Sequence, residues 1–374
     1  MPSNLSVFGS PERYVQGREA TLYMGEEMMK LGIDGPVLIV AGRSAQAQLC
    51  ETWKATLSKA GYEYQIFKFG GECTSHEIED VVSKAKEMSA KCIIGAGGGK
   101  VIDTARAAAD QVKIDVCCCP TAASSDAPCS ALSVVYREDG SVERYLFFRR
   151  HPLLVLLDTT VIANSPKRLL VAGMGDALAT WYEARTVKEA CKCNFLGGTT
   201  TMTGMAIAEL CKNTLLADGP TAVQALATKS VTPALERVVE ANTLLSGLGF
   251  ECVGVCVAHS VHNGLASCPA THDYMHGEKV AFGLMTQLTL EGRPASEIKE
   301  VMCFCSKVGL PITLKEVGLD ANDEAAIEAI GDRTVQPGET AHNEPFEVTS
   351  KMVQDAVRLA DRLGTLHHDA QSGC

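Results

Sequence analysis

Between Pro36 and Asp158, short apolar runs alternate with longer stretches of helical spacing. PVLIVAG (36–42), YQIFKFGGE (64–72), KCIIGAGGG (91–99), IDVCCCP (114–120) and PLLVLLD (152–158) are apolar and closed by Gly, Pro, Glu or Asp. They predict β-strands. AQAQLCETWKATLSKAG, SHEIEDVVSKAKEMSA and VIDTARAAADQ repeat their apolar residues at helical spacing. They predict helices, the second with Ser75 as its N-cap ahead of Glu77 and Ile78. Strands without polar alternation, separated by helices, imply a parallel sheet covered on both faces. LSVVYREDGSVERYLFF differs, because two β-rich runs flank Glu138-Asp139-Gly140, the signature of a hairpin. After Asn164-Ser165-Pro166 the β-branched alternation fades. RLLVAGMGDALATWYEAR, MTGMAIAELCKNTLLADG and TPALERVVEANTLLSGLGF are helical in period. The expected organisation is an α/β domain with a parallel sheet over residues 1–162 and an all-α domain over 163–374, with a frayed tail LHHDAQSGC.

Composition narrows the classes. A chain of 374 residues with 46% apolar content has material for two or three domains. No apolar run is long enough to span a bilayer. The start MPSNLSVFGSPERYVQGREA has no apolar segment of the secretory kind. A net charge of −11 argues against nucleic acid or an anionic membrane as partner. The 16 cysteines include the adjacent Cys117, Cys118 and Cys119 in an apolar run, and no CxxC pair occurs. That pattern suits reduced, buried thiols in a reducing compartment such as the cytoplasm, and not a cysteine-built zinc ribbon.

Four places carry candidate chemistry. GAGGGKVID (95–103) follows an apolar run and opens a helix, where free N–H groups and a dipole end can receive an anion. It fits neither GxGxxG, because position 100 is Lys100, nor GxxxxGK, because position 94 is Ile94. It is either an anion cradle or a tight turn. Second, His259, His262, His272 and His276 are four of the chain's nine histidines. His259 and His262 share a helical face, and His276 precedes the next helix. Imidazoles with a carboxylate suit a divalent metal that keeps an open position; the alternative is packing or surface histidines, and His272 is read that way. Third, Asp176 follows Gly173 and Gly175, as a third ligand or as a helix-dipole acid. Fourth, Asp126 lies in the small-residue loop PTAASSDAPCSALS. It either lines a ligand crevice at the strand ends or makes an Asx-turn.

Taken together, SPERYVQG, FGGEC, GGGKVIDTA, SSDAPCSALSVVY, GMGDALATWYEA, TPALERVVEANTLLSGLGFE, HSVHNGL and HGEKVAFG resemble, in order and over nearly the whole chain, the glycerol dehydrogenase branch of the iron-containing (group III) alcohol dehydrogenase family. The resemblance implies a dehydroquinate synthase-like fold, with an N-terminal dinucleotide-binding domain, a C-terminal helical domain and an active site in the cleft. It implies one divalent ion, zinc in this branch, on Asp176, His259 and His276. Many relatives add a histidine four residues after the aspartate; here that position is Thr180, which leaves room for substrate. Asp126 falls where the polyol is oriented. Gly97, Gly98, Gly99, Lys100 and Asp103 fall in the pyrophosphate turn. Thr121, Ser124, Ser130, Leu132 and Tyr136 fall around the nicotinamide. His262 is a proton relay or a supporting histidine.

The implied reaction is oxidation of glycerol or a related vicinal diol to dihydroxyacetone, with the metal as Lewis acid on the alkoxide and hydride passing to the cofactor. Homo-oligomers, often octamers, are common in the family. NAD is the usual cofactor, but an aspartate that many relatives carry after the first strand of this domain is replaced by Gly42, followed by Arg43 and Ser44, which opens NADP as well. Three alternatives stand beside this. One is a different alcohol substrate. Another is a non-catalytic scaffold, although no metal ligand is missing. The third is a dehydroquinate synthase-like lyase; its phosphorylated substrate would need a Lys/Arg cluster, and the Asp126 and histidine segments hold only Lys279.

Overall fold

The computed structural model describes residues 5–138 and 141–372. The chain forms two compact units. One comprises Gly9–Leu170 and Gln224–Gly247; the other comprises Val171–Val223 and the residues from Leu248, with the N-terminal residues up to Phe8. The linear division expected after residue 162 differs from this arrangement. Helix Lys167–Glu189 runs through the changeover at Leu170, and residues 224–247 return to the sheet-bearing unit.

The sheet-bearing unit holds strands β1 (Arg13–Gly17), β2 (Val37–Ala41), β3 (Tyr64–Lys68), β4 (Cys92–Gly97), β5 (Asp115–Pro120), β6 (Leu132–Tyr136), β7 (Val142–Phe147) and β8 (Leu154–Asp158). Six of them form a parallel sheet in the order β1-β8-β5-β4-β2-β3. All five apolar runs are strands of it. Strand β1 has no counterpart in the hydrophobic pattern. RYVQG is half-buried throughout, so at the edge of the sheet it mixes polar and apolar residues, and only its pairing with β8 makes it a strand. Strands β6 and β7 pair antiparallel, as the hairpin pattern predicts; Asp139 and Gly140 of its turn lie outside the described residues.

One face of the sheet, with Val37, Ile39, Ala41, Cys92, Ile94, Cys117 and Leu154, packs on Trp53, Leu57, Met24 and Met28. Alternate residues Leu38, Val40, Ile93, Cys118 and Val155 are buried as well, which is why the strands read as unbroken apolar runs. Described cysteines are free thiols and most are buried. Helix Ser75–Glu87 is capped by Thr74, whose hydroxyl accepts from Glu77 N at 3.1 Å. The cap is one residue earlier than expected, because Thr74 keeps extended backbone while Ser75 is already helical.

The sheet order sets where ligands can approach. The chain passes from β2 to β3 at one edge, then returns to the other side of β2 for β4. Such a reversal leaves a crevice at the carboxyl ends of the two diverging strands. Ala41 pairs with Ala96, so Gly42 and Gly97 emerge side by side at that crevice.

The second unit is helical. Its elements include most of helix Lys167–Glu189 and of helix Met202–Ala227, then Val257–Ala266, His276–Leu290, Ala295–Val308, Glu324–Thr334 and Ser350–Ser372. The tail expected to fray is helical through Ser372, with His368 Nε2 and Glu316 Oε1 at 3.1 Å. Helix His276–Leu290 meets two neighbours backbone to backbone. A Cβ on Gly277 would lie 1.8 Å from the Ala172 carbonyl oxygen, and one on Gly175 would lie 2.3 Å from that of Gly277. A Cβ on Gly283 would lie 2.3 Å from the Ala258 carbonyl oxygen. Glycine is therefore required at these crossings by space.

Gly277→Ala must push its helix off helix Lys167–Glu189. Overpacking of this kind costs about 1–3 kcal/mol or more, so thermal unfolding should show Tm lowered by roughly 3–10 °C. Gly17→Ala, with nothing within 4 Å of the new Cβ, should leave Tm unchanged.

Candidate metal centre and active site

Those crossings gather three side chains. Asp176 sits beside Gly175, His276 beside Gly277, and His259 beside Ala258. His276 Nε2 lies 3.1 Å from Asp176 Oδ1 and His259 Nε2 lies 3.5 Å from the same oxygen. Asp176 is fully buried, His259 is half-buried and His276 exposed, and one ligand atom of each lies within 4.8 Å of the others. Two imidazole nitrogens and a carboxylate oxygen, open to solvent on one side, can hold one divalent ion and leave a position for another ligand. His272 stands apart, with Nε2 at 3.2 Å from the Ala266 carbonyl oxygen.

Each histidine is held from behind. Helix Val257–Ala266 has no side-chain cap of its own. Its first N–H groups, from Cys256 and His259, donate instead to Glu183 Oε1 at 2.8 and 3.1 Å. The other oxygen of Glu183 takes His259 Nδ1 at 2.6 Å. One buried carboxylate thus caps the helix and fixes the imidazole on it. His276 Nδ1 lies 3.0 Å from His262 Nε2, and His262 Nδ1 lies 3.1 Å from Asn263 Oδ1. Asn263 donates to Glu339 at 3.0 Å. His262 is therefore placed as the partner of His276, one step back from the cluster.

The electrostatics follow from this crowding. Burial works against ionisation of Asp176, yet His276 and His259 hold its carboxyl well below the usual range. Burial likewise opposes a charge on His259, and Glu183 with Asp176 overcomes it and raises that histidine. Burial lowers His262, and the neighbouring His276 adds to the effect. The site is a concentration of negative charge in low dielectric that calls for a cation.

In the sheet-bearing unit the glycine-rich turn divides by purpose. A Cβ on Gly95 would meet Ala105 Cβ at 2.8 Å, and one on Gly97 would meet Val101 Cγ2 at 2.7 Å, so these two serve strand–helix packing. Gly98 has nothing within 4 Å, and Gly99 only Ser125 Oγ at 3.6 Å. Packing does not demand glycine there. Gly98 is the N-cap of helix Gly99–Val112 with no side-chain cap, which leaves its N-terminal amides open to a ligand. Lys100 pairs with Glu72 and lies 5.4 Å from the Tyr136 ring centre. Asp103 turns away from the turn and accepts from Val134 N at 3.3 Å; burial pushes its carboxyl up to about 6.

The loop after β5 carries Thr121, Ser124, Asp126 and Ser130, and is built on two supports. Buried Arg106 donates to Ser130 Oγ at 3.1 Å, to Ala127 O at 2.6 Å and to Leu132 O. From the other side, the π-helical segment Ala241–Leu245 presents Asn242, which donates to Ala123 O at 2.9 Å. Ser246 then donates to Asp126 Oδ2 at 2.9 Å. Asp126 is buried with its carboxylate oriented by this hydroxyl. Thr121 N donates to Gly97 O at 3.0 Å, which ties the loop to the glycine turn.

Residues 11–159 match the family model described as iron-containing alcohol dehydrogenase. Glycerol dehydrogenase of Thermotoga maritima is 46% identical over 356 residues, 95% of this chain and 97% of that protein. Glycolaldehyde reductase of Halobacterium salinarum is 43% identical over 359 residues, 96% of this chain and 98% of that protein. The crystal structure of glycerol dehydrogenase from Schizosaccharomyces pombe superposes with a TM-score of 0.94 at 34% identity, covering 99% of this chain and 94% of that one. The chain belongs to the iron-containing alcohol dehydrogenase family.

As a member of that family the protein is an oxidoreductase, metal-dependent and nicotinamide-linked. Two polar residues that shape this alcohol dehydrogenase's candidate site, Glu183 and Arg106, stand outside the four places in the sequence that carry candidate chemistry. Glu183 had a signal: it lies seven residues beyond Asp176 on one helix, two turns along the same face. Arg106 had a fainter one, a lone cation inside the apolar helix VIDTARAAADQ. Glu183→Gln should keep the fold but weaken metal affinity about 10- to 100-fold, the usual effect of losing a ligand's hydrogen-bond partner. Competition against a chelator measures it, and His272→Ala should leave that affinity unchanged.

Proposed function

We propose that the protein is a cytoplasmic, zinc-dependent glycerol dehydrogenase. It oxidises glycerol and related vicinal diols to dihydroxyacetone and its analogues, and passes hydride to NAD, with NADP also accepted. The observation that carries this reading is the convergence of Asp176, His259 and His276 in a chain 46% identical to a glycerol dehydrogenase over its length. Nitrogen and carboxylate donors suit zinc. Thr180 lies one turn beyond Asp176 on the same helix and adds no imidazole, which leaves substrate hydroxyls room to approach.

When bound on these three residues, the ion supplies Lewis acidity, which lowers the pKa of a hydroxyl and favours loss of its proton. The chain's own residues do the rest. Glu183 and His262 hold His259 and His276 with Nε2 facing Asp176. His262 acts as a positioning residue, because its ring nitrogens are engaged by His276 and Asn263. The open amides at Gly98 and Gly99 receive the cofactor pyrophosphate, with Gly97 setting the strand end. Asp126, oriented by Ser246, accepts a hydrogen bond from a hydroxyl beside the reacting carbon and so selects diols. Thr121, Ser124, Leu132 and Tyr136 shape the nicotinamide pocket. Ser130 contributes by position, because its hydroxyl is engaged by Arg106 and Ala127.

Similarity to a glycolaldehyde reductase supports a second substrate class, small hydroxyaldehydes reduced by the same chemistry run backwards. The lyase reading gains no support from either neighbourhood. Exposed apolar side chains such as Leu5, Leu22, Tyr23 and Met202 support assembly into a homo-oligomer. No single described helix is long and apolar enough to cross a membrane.

Absorbance at 340 nm with glycerol and NAD should show turnover that a chelator abolishes and zinc restores. Asp176→Ala, His259→Ala and His276→Ala should each lose the metal, by elemental analysis, and roughly a thousandfold or more in kcat/KM, because Lewis-acid stabilisation is worth several kcal/mol. Asp126→Asn should retain the metal and lose about 10- to 100-fold on glycerol relative to a simple secondary alcohol, the worth of a charged hydrogen bond. An unchanged ratio removes Asp126 from substrate selection.

A further inference from the structure

At the carboxyl ends of β2 and β3 a cavity is lined by Gly42, Arg43, Ser44, Lys68, Gly70 and others. We propose that it is a phosphate-monoester site, built to take the 2′-phosphate of NADP(H), with Arg43 and Lys68 as the two residues that read it. The inference rests on the nicotinamide-cofactor reading above and deepens it.

Position comes first. Gly42 emerges beside Gly97, since Ala41 pairs with Ala96 on one side of β2. On the other side Ala41 pairs with Lys68. The strand next to the glycine-turn strand is where a doubly wound sheet meets the adenosine ribose, and an acid at its end binds the ribose hydroxyls and repels a 2′-phosphate. Here that end is Gly42, with no charge to repel one.

Charge comes second. In a chain of net charge −11, many cations that reach the surface are paired: Lys30, Lys84, Lys113, Lys351 and Arg358 all sit on carboxylates. Arg43 and Lys68 are exposed, and neither pairs with a carboxylate among the described residues. Glu77, beside this rim, is turned to the Gly70 N–H at 2.7 Å, and Glu72 is taken by Lys100. Two free cations, the Ser44 hydroxyl and the uncapped start of helix Arg43–Lys59 converge on one cavity. A guanidinium fork with an ammonium is the donor set that phosphate dianions select.

The test is calorimetry on the whole protein with adenosine 2′,5′-bisphosphate and, separately, adenosine 5′-monophosphate. The bisphosphate should bind at least about tenfold more tightly. Arg43→Ala and Lys68→Ala, both exposed and unpaired with any carboxylate among the described residues, should each weaken the bisphosphate by about 10- to 100-fold and leave the monophosphate unchanged. Gly42→Asp, whose Cβ has nothing nearer than Val101 Cγ2 at 4.0 Å, should erase the preference. Steady-state kcat/KM with NADP should come within about tenfold of that with NAD, and Gly42→Asp should lower it selectively. Equal binding of the two nucleotides by the unmodified protein overturns the phosphate site and leaves the cofactor reading standing. Binding of neither overturns both.

Discussion

Everything at the candidate metal centre depends on three helices touching at the backbone. Aspartate and histidine side chains are short, so ligands on separate helices meet only if the helix axes come unusually close. Gly175, Gly277 and Gly283 remove the side chains that would keep them apart. Two of these glycines are next in sequence to a ligand, and the third packs on Ala258, itself next to His259. Ligand and contact are one feature, which is why the histidines and Asp176 occur in the patterns GMGD, AHSVH and HGEK.

Bringing two buried carboxylates, Asp176 and Glu183, into one place carries an electrostatic penalty. The structure offsets it with imidazole partners and with backbone N–H donors. Asp176 has two imidazoles, and Glu183 has two backbone N–H groups at a helix start together with His259 Nδ1. This also leaves the imidazole Nε2 atoms with no choice of direction, so the cluster is organised before any cation arrives.

The sheet-bearing unit solves a different problem. A loop of small residues has little packing to hold it, yet Asp126 is fixed in one orientation. Buried Arg106 ties the loop from the helix beneath it, and Asn242 and Ser246 tie it from the segment where the helix winding widens. A π-helical stretch shifts the following residues around the axis, and here it turns polar side chains onto the loop.

Local pattern was enough for the five apolar strands, the hairpin and the helical second half, because parallel strands and amphipathic helices write their environment into residue spacing; it left open which acid, if any, joins His259 and His276, and only the resemblance of whole sequence blocks named Asp176. Local pattern was not enough either for β1, whose half-buried edge sequence becomes a strand only against β8. The return of residues 224–247 to the sheet-bearing unit and the roles of Glu183 and Arg106 were equally beyond it. Each of these depends on partners distant in sequence: Glu183 on His259 across 76 positions, Asp126 on Ser246 across 120. Lys68 belongs with them. Nothing in YQIFKF marks it for a ligand; its place beside Gly42 exists because β3 pairs with β2. Sequence decides what a segment is when its burial repeats along the chain. Tertiary structure decides which polar atoms meet, because hydrogen bonds and charge pairs act between neighbours in space whatever their separation along the chain.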